Sequence, residues 1–390
     1  MSSGVSDSGN LKPRSPIAIS VAYQSLLVAA IIGGAFLYGG PRDFSGYLGR
    51  VLRCWDAEHY LRIAREGYST DAEARPLIVF FPVYPLLIAA LAPILGHMKA
   101  AFAVTTAASI AGHTLLFHYL RLIGLDARRV TRVMTLVFVS PIAIYFSAIY
   151  TEALYFLVTV SFLVLLRREQ YFLAAACGFV AALTRSMGVL FVIPYLFAVW
   201  GSGPRTVVLR RSAYAALIGF GTAVYLAINT WVQGDPLAFS AHQSSNWYKS
   251  SVNPIKMYRK SLLDLFSGHW GLGPGYELIY LDRIATLLFP GLCLAYAWSV
   301  YGPRFGGDPS KKEAAGMPPG FFLWAVAQWL IVCSQSFWVS NLRYLSLVLP
   351  AYLMLERVFS RRFTFAVYAL ISAAIAVWAV RQYVRLSWVF

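Results

Sequence analysis

"IAISVAYQSLLVAAIIGGAFLY", residues 17–38, contains no Asp, Glu, Lys or Arg. Wound as a helix, a run of that length covers the roughly 30 Å hydrocarbon core of a bilayer. Further apolar stretches lie at 77–96, 100–120, 133–149, 152–166, 171–184, 187–200, 212–232, 278–300, 320–338, 343–356 and 363–380. Inside hydrocarbon every backbone polar group needs an internal partner, so only helices or a closed barrel can cross. A barrel would need short alternating segments, and these runs do not alternate. The expected fold is all-α, a polytopic transmembrane helical bundle. A composition of 58% hydrophobic and 13% charged residues lies outside the soluble globular range. The polar start "MSSGVSDSGNLKPRSP" (1–16) reads as a disordered cytoplasmic tail, and 17–390 as a single integral membrane domain. No A-x-A-like cleavage site follows the first run, so it reads as a retained span rather than a signal peptide.

The net charge of +16 could suggest nucleic acid. In a polytopic chain it is better explained by Lys and Arg held on the cytoplasmic side, and no nucleic-acid partner is expected. Five connections are basic: 121–132, 167–170, 203–211, 301–313 and 356–362, together holding fifteen Lys or Arg residues. The positive-inside tendency puts them in the cytoplasm with the N-terminus. Loops 39–76 and 233–277 then fall outside. Between 39–76 and the basic 121–132 the chain must cross an odd number of times, so 77–96 and 100–120 cannot both span. The first carries Pro76, Pro82, Pro85 and Pro93, each costly in a helix interior. It reads as a broken, re-entrant or partly inserted segment, leaving about eleven spans. Residues 171–200 have basic flanks on both sides, which requires two short helices turning at "TRSMG" (184–188). Arg185 would then sit near the outer side. The four cysteines show no paired spacing and give neither a disulfide framework nor a zinc signature.

The densest cluster of acids and bases is "CWDAEHYLRIAREGY" (54–68), in the first outer loop. Residues 47–65 have helical spacing. At about 100° per residue, Leu48, Leu52, Trp55, His59, Tyr60 and Ile63 share one arc; Arg50, Glu58, Arg62 and Arg65 take the other. The expectation is an amphipathic helix lying on the membrane surface, with Glu58–Arg62 and Arg62–Glu66 as i,i+4 pairs. Asp56 falls within the apolar arc. A carboxylate there needs a partner or a task, because desolvating it alone is expensive; it is either a functional acid or a helix anchor paired with an arginine from a neighbour. Glu58 reads as a solvated salt-bridge residue. One His and two acids on a single helix are a weak metal signal, so no metal site is assigned, although a divalent metal stays open.

Glu152 stands at the start of a span, as a functional acid or as an N-terminal acid favoured by the helix dipole. Arg185 and Arg343, at outer turns, are suited to an anionic phosphate or to snorkelling toward headgroups. His113 and His118 read as interior residues on different faces, and His242 and His269 as outer-loop residues. The aromatic run "NWYKSS" (246–251) and Trp270 suit sugar stacking or interface anchoring.

Five stretches in order carry a resemblance: "WDAEHYLRIAREGY" (55–68), "FFPVYPLL" (80–87), "SPIAIYFSAIYTEALYF" (140–156), "LTRSMGVL" (183–190) and "LRYLSLVLP" (342–350). Together they resemble the PIG-V family, multi-pass mannosyltransferases of the GT-C class, over about residues 50–355. The short chain and lean outer loops are expected of a prokaryotic member. The resemblance implies a polyprenyl-phosphate-linked or dolichyl-phosphate-linked sugar donor, mannose being the expected sugar, and an extracytoplasmic lipid or glycan acceptor. The site would face outward from the cytoplasmic membrane of a prokaryote, or into the ER lumen of a eukaryote. The Trp-Asp motif falls on Trp55 and Asp56, with Asp56 as catalytic acid/base; Tyr-Thr-Glu falls on Glu152, and Thr-Arg on Arg185. Two positions depart from the family pattern. Cys54 stands where Arg usually precedes Trp-Asp, with Arg53 one place earlier, and Met187 stands where Asn usually follows Arg-Ser.

Physical reading and resemblance meet at Asp56. Inverting transfer from a lipid phosphate needs one base for the acceptor hydroxyl and cations for the leaving phosphate. The expected catalytic pair is Asp56 and Glu152; the substrate-binding set is Trp55, His59, Tyr60, Tyr84, Arg185, Arg343 and Tyr344. Two rivals stand beside it. A lipid flippase or transporter predicts charges in mid-span or inverted repeats, neither of which stands out. A membrane O-acyltransferase would rest on His113 or His118 alone.

Overall fold

The structure is a computed structural model describing residues 15–200, 202–267, 278–301 and 318–389. Residues 1–14 of the tail 1–16, residues 302–313 of the basic connection 301–313, and His269 and Trp270 lie outside the described residues.

Helix α1 (Pro16–Leu52) begins with proline, where the absent N–H has no helical partner anyway. It kinks at Gly40–Asp43, with Gly40 at φ 66° and Pro41 next to it, and then continues as helix into what reads as the outer loop. A short turn leads to α2 (Asp56–Glu66). The single helix expected over 47–65 is therefore two. Trp55 takes φ 57°, and Tyr150, from far along the chain, holds the turn: the Asp56 N–H donates to its hydroxyl at 3.3 Å, which donates to the Cys54 carbonyl at 3.4 Å. Periodicity cannot report a break made by a distant side chain.

The 77–96 segment is broken, as its prolines require. A 3₁₀ turn (Arg75–Val79) precedes α3 (Val83–Leu95). Thirteen residues rise about 20 Å, less than a bilayer core. Gly96, at φ 75°, then turns the chain into α4 (His97–Leu122).

Helix α5 (Ala127–Phe138) is capped by Asp126, which accepts from the Arg129 N–H at 2.8 Å. It stops at Phe138, and the chain runs through turns to Thr151 with residues 142–151 all buried. The stretch 133–149 is thus not one helix. Pro141 cannot continue it, and irregular backbone at this depth is tolerated because protein surrounds it. At the centre lies α6 (Glu152–Arg167), packed against α4 and α7 (Tyr171–Thr184) and apolar nearly all round, the pattern of a core helix. After α7 a 3₁₀ turn (Ser186–Phe191) leads to α8 (Val192–Val199), so the break expected at 184–188 is present. Then follow α9 (Arg205–Ala213) and α10 (Ala215–Gln233). Gly178 lies against Ile218, and Gly221 against the Phe179 carbonyl, so small residues let α7 and α10 approach closely.

The remaining helices are α11 (Ala238–Trp247), α12 (Pro254–Ser267), α13 (Leu278–Tyr301), α14 (Pro319–Cys333), α15 (Asn341–Ser346), α16 (Leu349–Val358) and α17 (Arg362–Val384). Among the described residues the only strand-like pairing is the bridge Ser251–Gln335. Among the described residues five segments are long and apolar enough to cross a membrane: Pro16–Leu52, His97–Leu122, Arg205–Gln233, Leu278–Val300 and Arg362–Val384. The chain is an all-α, multi-pass membrane protein. The expected eleven spans do not appear as eleven long helices, because the apolar runs after Phe138 and around residue 340 are interrupted by turns.

Connections 121–132 and 356–362, both assigned to the cytoplasm, meet at one end of the bundle. Arg129 pairs with Glu356 at 2.9 Å, and Arg132 donates to the carbonyls of Phe359 and Ser360.

Candidate active site

Asp56, Glu152, Arg185 and Arg343 come together from four separate elements. Glu152 opens α6, and its Oε1 accepts from Arg185 Nη1 at 2.9 Å and Arg343 Nε at 2.7 Å. Arg343, on α15, reaches onward to Asp56 Oδ2 at 3.3 Å. Arg185 follows α7 and also donates to Thr151 Oγ1 at 2.7 Å. Aromatic faces cover the guanidiniums. Arg343 lies 4.4 Å from the Tyr145 centroid and 4.9 Å from that of Tyr150, and Arg185 lies 4.9 Å from that of Tyr344. Buried charges persist only when paired, and two acids against two guanidiniums leave this quartet neutral. The snorkelling alternative for Arg185 and Arg343 is overturned: both are buried. The acids differ in access. The Glu152 side chain is 0% exposed and that of Asp56 is 28% exposed. Asp56 thus has the arginine partner of the anchoring reading and also keeps a face open for chemistry.

Arg343 is aimed by a residue that the sequence reading passed over. Asp282, fully buried on α13, accepts the Leu342 N–H at 2.7 Å through Oδ1. One turn later Thr286 accepts from Asn341 Nδ2 at 3.1 Å, while Gln328 of α14 donates to the Tyr344 carbonyl at 2.7 Å. The signal was a lone acid in an apolar run, which membrane-depth energetics marks as functional by default.

The other predicted site residues divide by access. Trp55 is 42% exposed beside Asp56. His59 stacks with Phe80 (centroids 5.0 Å apart) and Trp247 (6.3 Å), forming an aromatic wall. Burial depresses the His59 pKa, against the opposing pull of Asp56 and Glu58, so the ring is neutral near pH 7. Tyr60 is buried beneath this wall, edge-on to Phe80 and Tyr84. Tyr84 is fully buried and shares a 2.7 Å hydrogen bond with Thr105; it lies in the core between α3 and α4, not on an open face. Tyr344 is half-buried beside the quartet. Glu58 pairs with Arg65 at 2.7 Å rather than with the expected Arg62, which pairs with Glu66 at 2.8 Å. His113 is buried against Tyr23 and Phe146, whereas His118 is exposed and not interior as expected. His242 bonds Gln233 at 2.9 Å.

Among the described residues no three His, Cys, Asp or Glu side chains converge as metal ligands. A cavity of about 540 Å³ lies at the arginine-rich end, lined by Tyr119, Arg167, Phe197 and Arg357, and holds none of the predicted site residues. A smaller one, about 370 Å³, lies between α2 and the start of α4, lined by Arg53, Arg65, His97 and Lys99.

A multi-pass helical bundle with a neutral, partly open acid–arginine quartet at the ends of its helices is the class of protein these observations define. Residues 41–203 match the family model described as Mannosyltransferase (PIG-V), so this part of the chain is similar to that family. The matched segment carries Asp56, Glu152 and Arg185; Arg343 lies beyond it. The family supports a glycosyltransferase that uses a sugar donor and a lipid or glycan acceptor. No curated protein and no solved structure matches the chain.

Proposed function

We propose that the protein is an inverting GT-C-type mannosyltransferase that takes its sugar from a polyprenyl-phosphate-linked donor, with Asp56 as general base. The observation carrying this reading is the contrast between the two acids. Glu152 is sealed among arginines, whereas Asp56, at the same cluster, keeps part of its carboxylate accessible. In the reaction Asp56 accepts the proton of the acceptor hydroxyl as that oxygen bonds to the anomeric carbon. The bond from that carbon to the phosphate oxygen breaks, and its electron pair leaves with the polyprenyl phosphate. Arg343 orients Asp56 through the 3.3 Å contact with its carboxylate. Glu152, which Arg343 also binds, is a positioning residue rather than a group that touches substrate. His59, Phe80 and Trp247 offer the sugar an aromatic wall. With the basic connections in the cytoplasm, the reaction takes place on the extracytoplasmic face, served by donor and acceptor lipids from the membrane.

The test is release of free polyprenyl phosphate from polyprenyl-phosphate-mannose by the purified chain with a panel of lipid and glycan acceptors. Release that is lost in Asp56→Asn supports both donor class and base. Release undiminished in that variant removes Asp56 from the mechanism.

A further inference from the structure

The quartet leaves a question of charge. When the sugar departs, the phosphate changes from a diester to a monoester and gains negative charge, which must be met by a cation. Arg185 and Arg343 were the expected partners, yet both are buried and already bound to Glu152. Drawing either toward a phosphate would strip the buried Glu152 of one of its two cationic partners and unbalance the quartet's charges.

Lys249 is held less tightly: its charge acts on the buried Asp282 carboxylate, but it forms no direct ion pair among the described residues. Helix α11 ends at Trp247, and Tyr248 follows at φ 58°. Residues 248–252 are then stitched to the segment after α14. The Ser336 N–H donates to the Ser250 carbonyl at 2.9 Å, and the Val252 N–H to the Ser334 carbonyl at 2.7 Å. The Ser336 hydroxyl donates to the Tyr248 carbonyl at 2.9 Å. This strap places the half-buried Lys249 with its ammonium 2.7 Å from the Val339 carbonyl and 5.4 Å from the Tyr344 centroid. The same ring receives Arg185 at 4.9 Å, and its chain neighbour Arg343 contacts Asp56. Among the described residues no carboxylate lies within ion-pair distance of Lys249. An ammonium has three donors, and one is engaged by Val339.

Resting on the transferase reading above, we infer that Lys249 binds the phosphate of the lipid-linked donor and receives the charge of the departing polyprenyl phosphate. The aromatic wall begins two residues earlier, at Trp247, so one strap would supply both a sugar contact and a phosphate contact. Arg185 and Arg343 keep the site's acids in place, Arg185 lying against Tyr344 and Arg343 against Tyr145 and Tyr150.

Binding of a sugar-free polyprenyl phosphate to the full-length chain in detergent tests this directly, with uncharged polyprenol as the comparison probe. Lys249→Gln is expected to weaken polyprenyl-phosphate binding by about tenfold or more, the size of one charged hydrogen bond, and to leave polyprenol binding as in wild type. Lys249→Arg should stay within about threefold of wild type, because the charge is kept, and retained polyprenol binding shows that each variant is folded. Equal polyprenyl-phosphate binding by wild type and Lys249→Gln overturns the assignment of Lys249 and leaves the donor class standing. Failure of wild type to bind overturns both. Equal loss of both probes in Lys249→Gln assigns the strap a structural role and likewise overturns the phosphate contact.

Discussion

Arg343 stands 191 positions after Glu152, yet its Nη2 lies 2.5 Å from Glu152 Oε1. Through Arg343 a carboxylate sealed in the core of the bundle controls one that is open. Glu152 fixes the guanidinium, the guanidinium fixes Asp56, and Asp282 fixes the short helix that carries it.

Asp56→Asn keeps the size of the side chain but removes the proposed base. Turnover should fall by about 10²–10⁴-fold, the usual contribution of a positioned base, with little change in melting temperature. Polyprenyl-phosphate release measured beside a thermal melt separates these two effects.

Glu152→Gln removes the charge that two buried guanidiniums share. Breaking a buried pair from one side costs about 3–5 kcal/mol. Glu58→Gln, whose side chain is 43% exposed and bonded to Arg65, should cost under about 1 kcal/mol. Thermal unfolding of the two variants in one detergent should therefore separate them clearly, and equal stability would contradict the buried-anchor role of Glu152.

Gly188→Ala should destabilise the turn that presents Arg185. A Cβ at this position would run into the Ala181 carbonyl group and the Ala182 nitrogen, backbone atoms of α7 that cannot step aside as a side chain can. Overpacking of this kind costs about 1–3 kcal/mol or more. A lower melting temperature and loss of turnover should appear together.

His59 gives the acid side of the stability profile. Its pKa in the folded chain lies below the ordinary value of 6.5, because burial disfavours the charged ring. Between those two values the unfolded chain binds the extra proton more readily, so this contribution is complete above 6.5 and is lost as the pH falls. Asp56 and Glu58 pull the pKa up and Arg62 pushes it down, and these groups surround the ring. His59→Phe should flatten the fall in melting temperature between about pH 7 and about pH 5.

The strands of evidence that a sequence can carry were local ones. Uncharged runs such as 17–38 dictated membrane-spanning helices, because hydrocarbon admits no other open element. Prolines broke 77–96, and basic flanks required the turn before Ser186. Asp56 stood out because an acid on an apolar arc is costly wherever the helix lies. What misled were features decided at long range. The helix over 47–65 was divided by Tyr150; the run 133–149 was held as irregular chain by the protein packed around it; Arg343 read as readily as a snorkelling residue as a buried partner. Asp282 went unremarked because its partner is a backbone N–H sixty positions away, and a backbone group leaves no mark in the sequence.

By itself, the sequence determined the kind of molecule and the chemically marked residues, since hydropathy, proline and charge act through the solvent and the local backbone. Tertiary structure alone decided which charges share one buried site, which acid stays open, and where the strap carries Lys249. Those depend on distances between helices, and distances between helices are set by how side chains pack across the whole bundle.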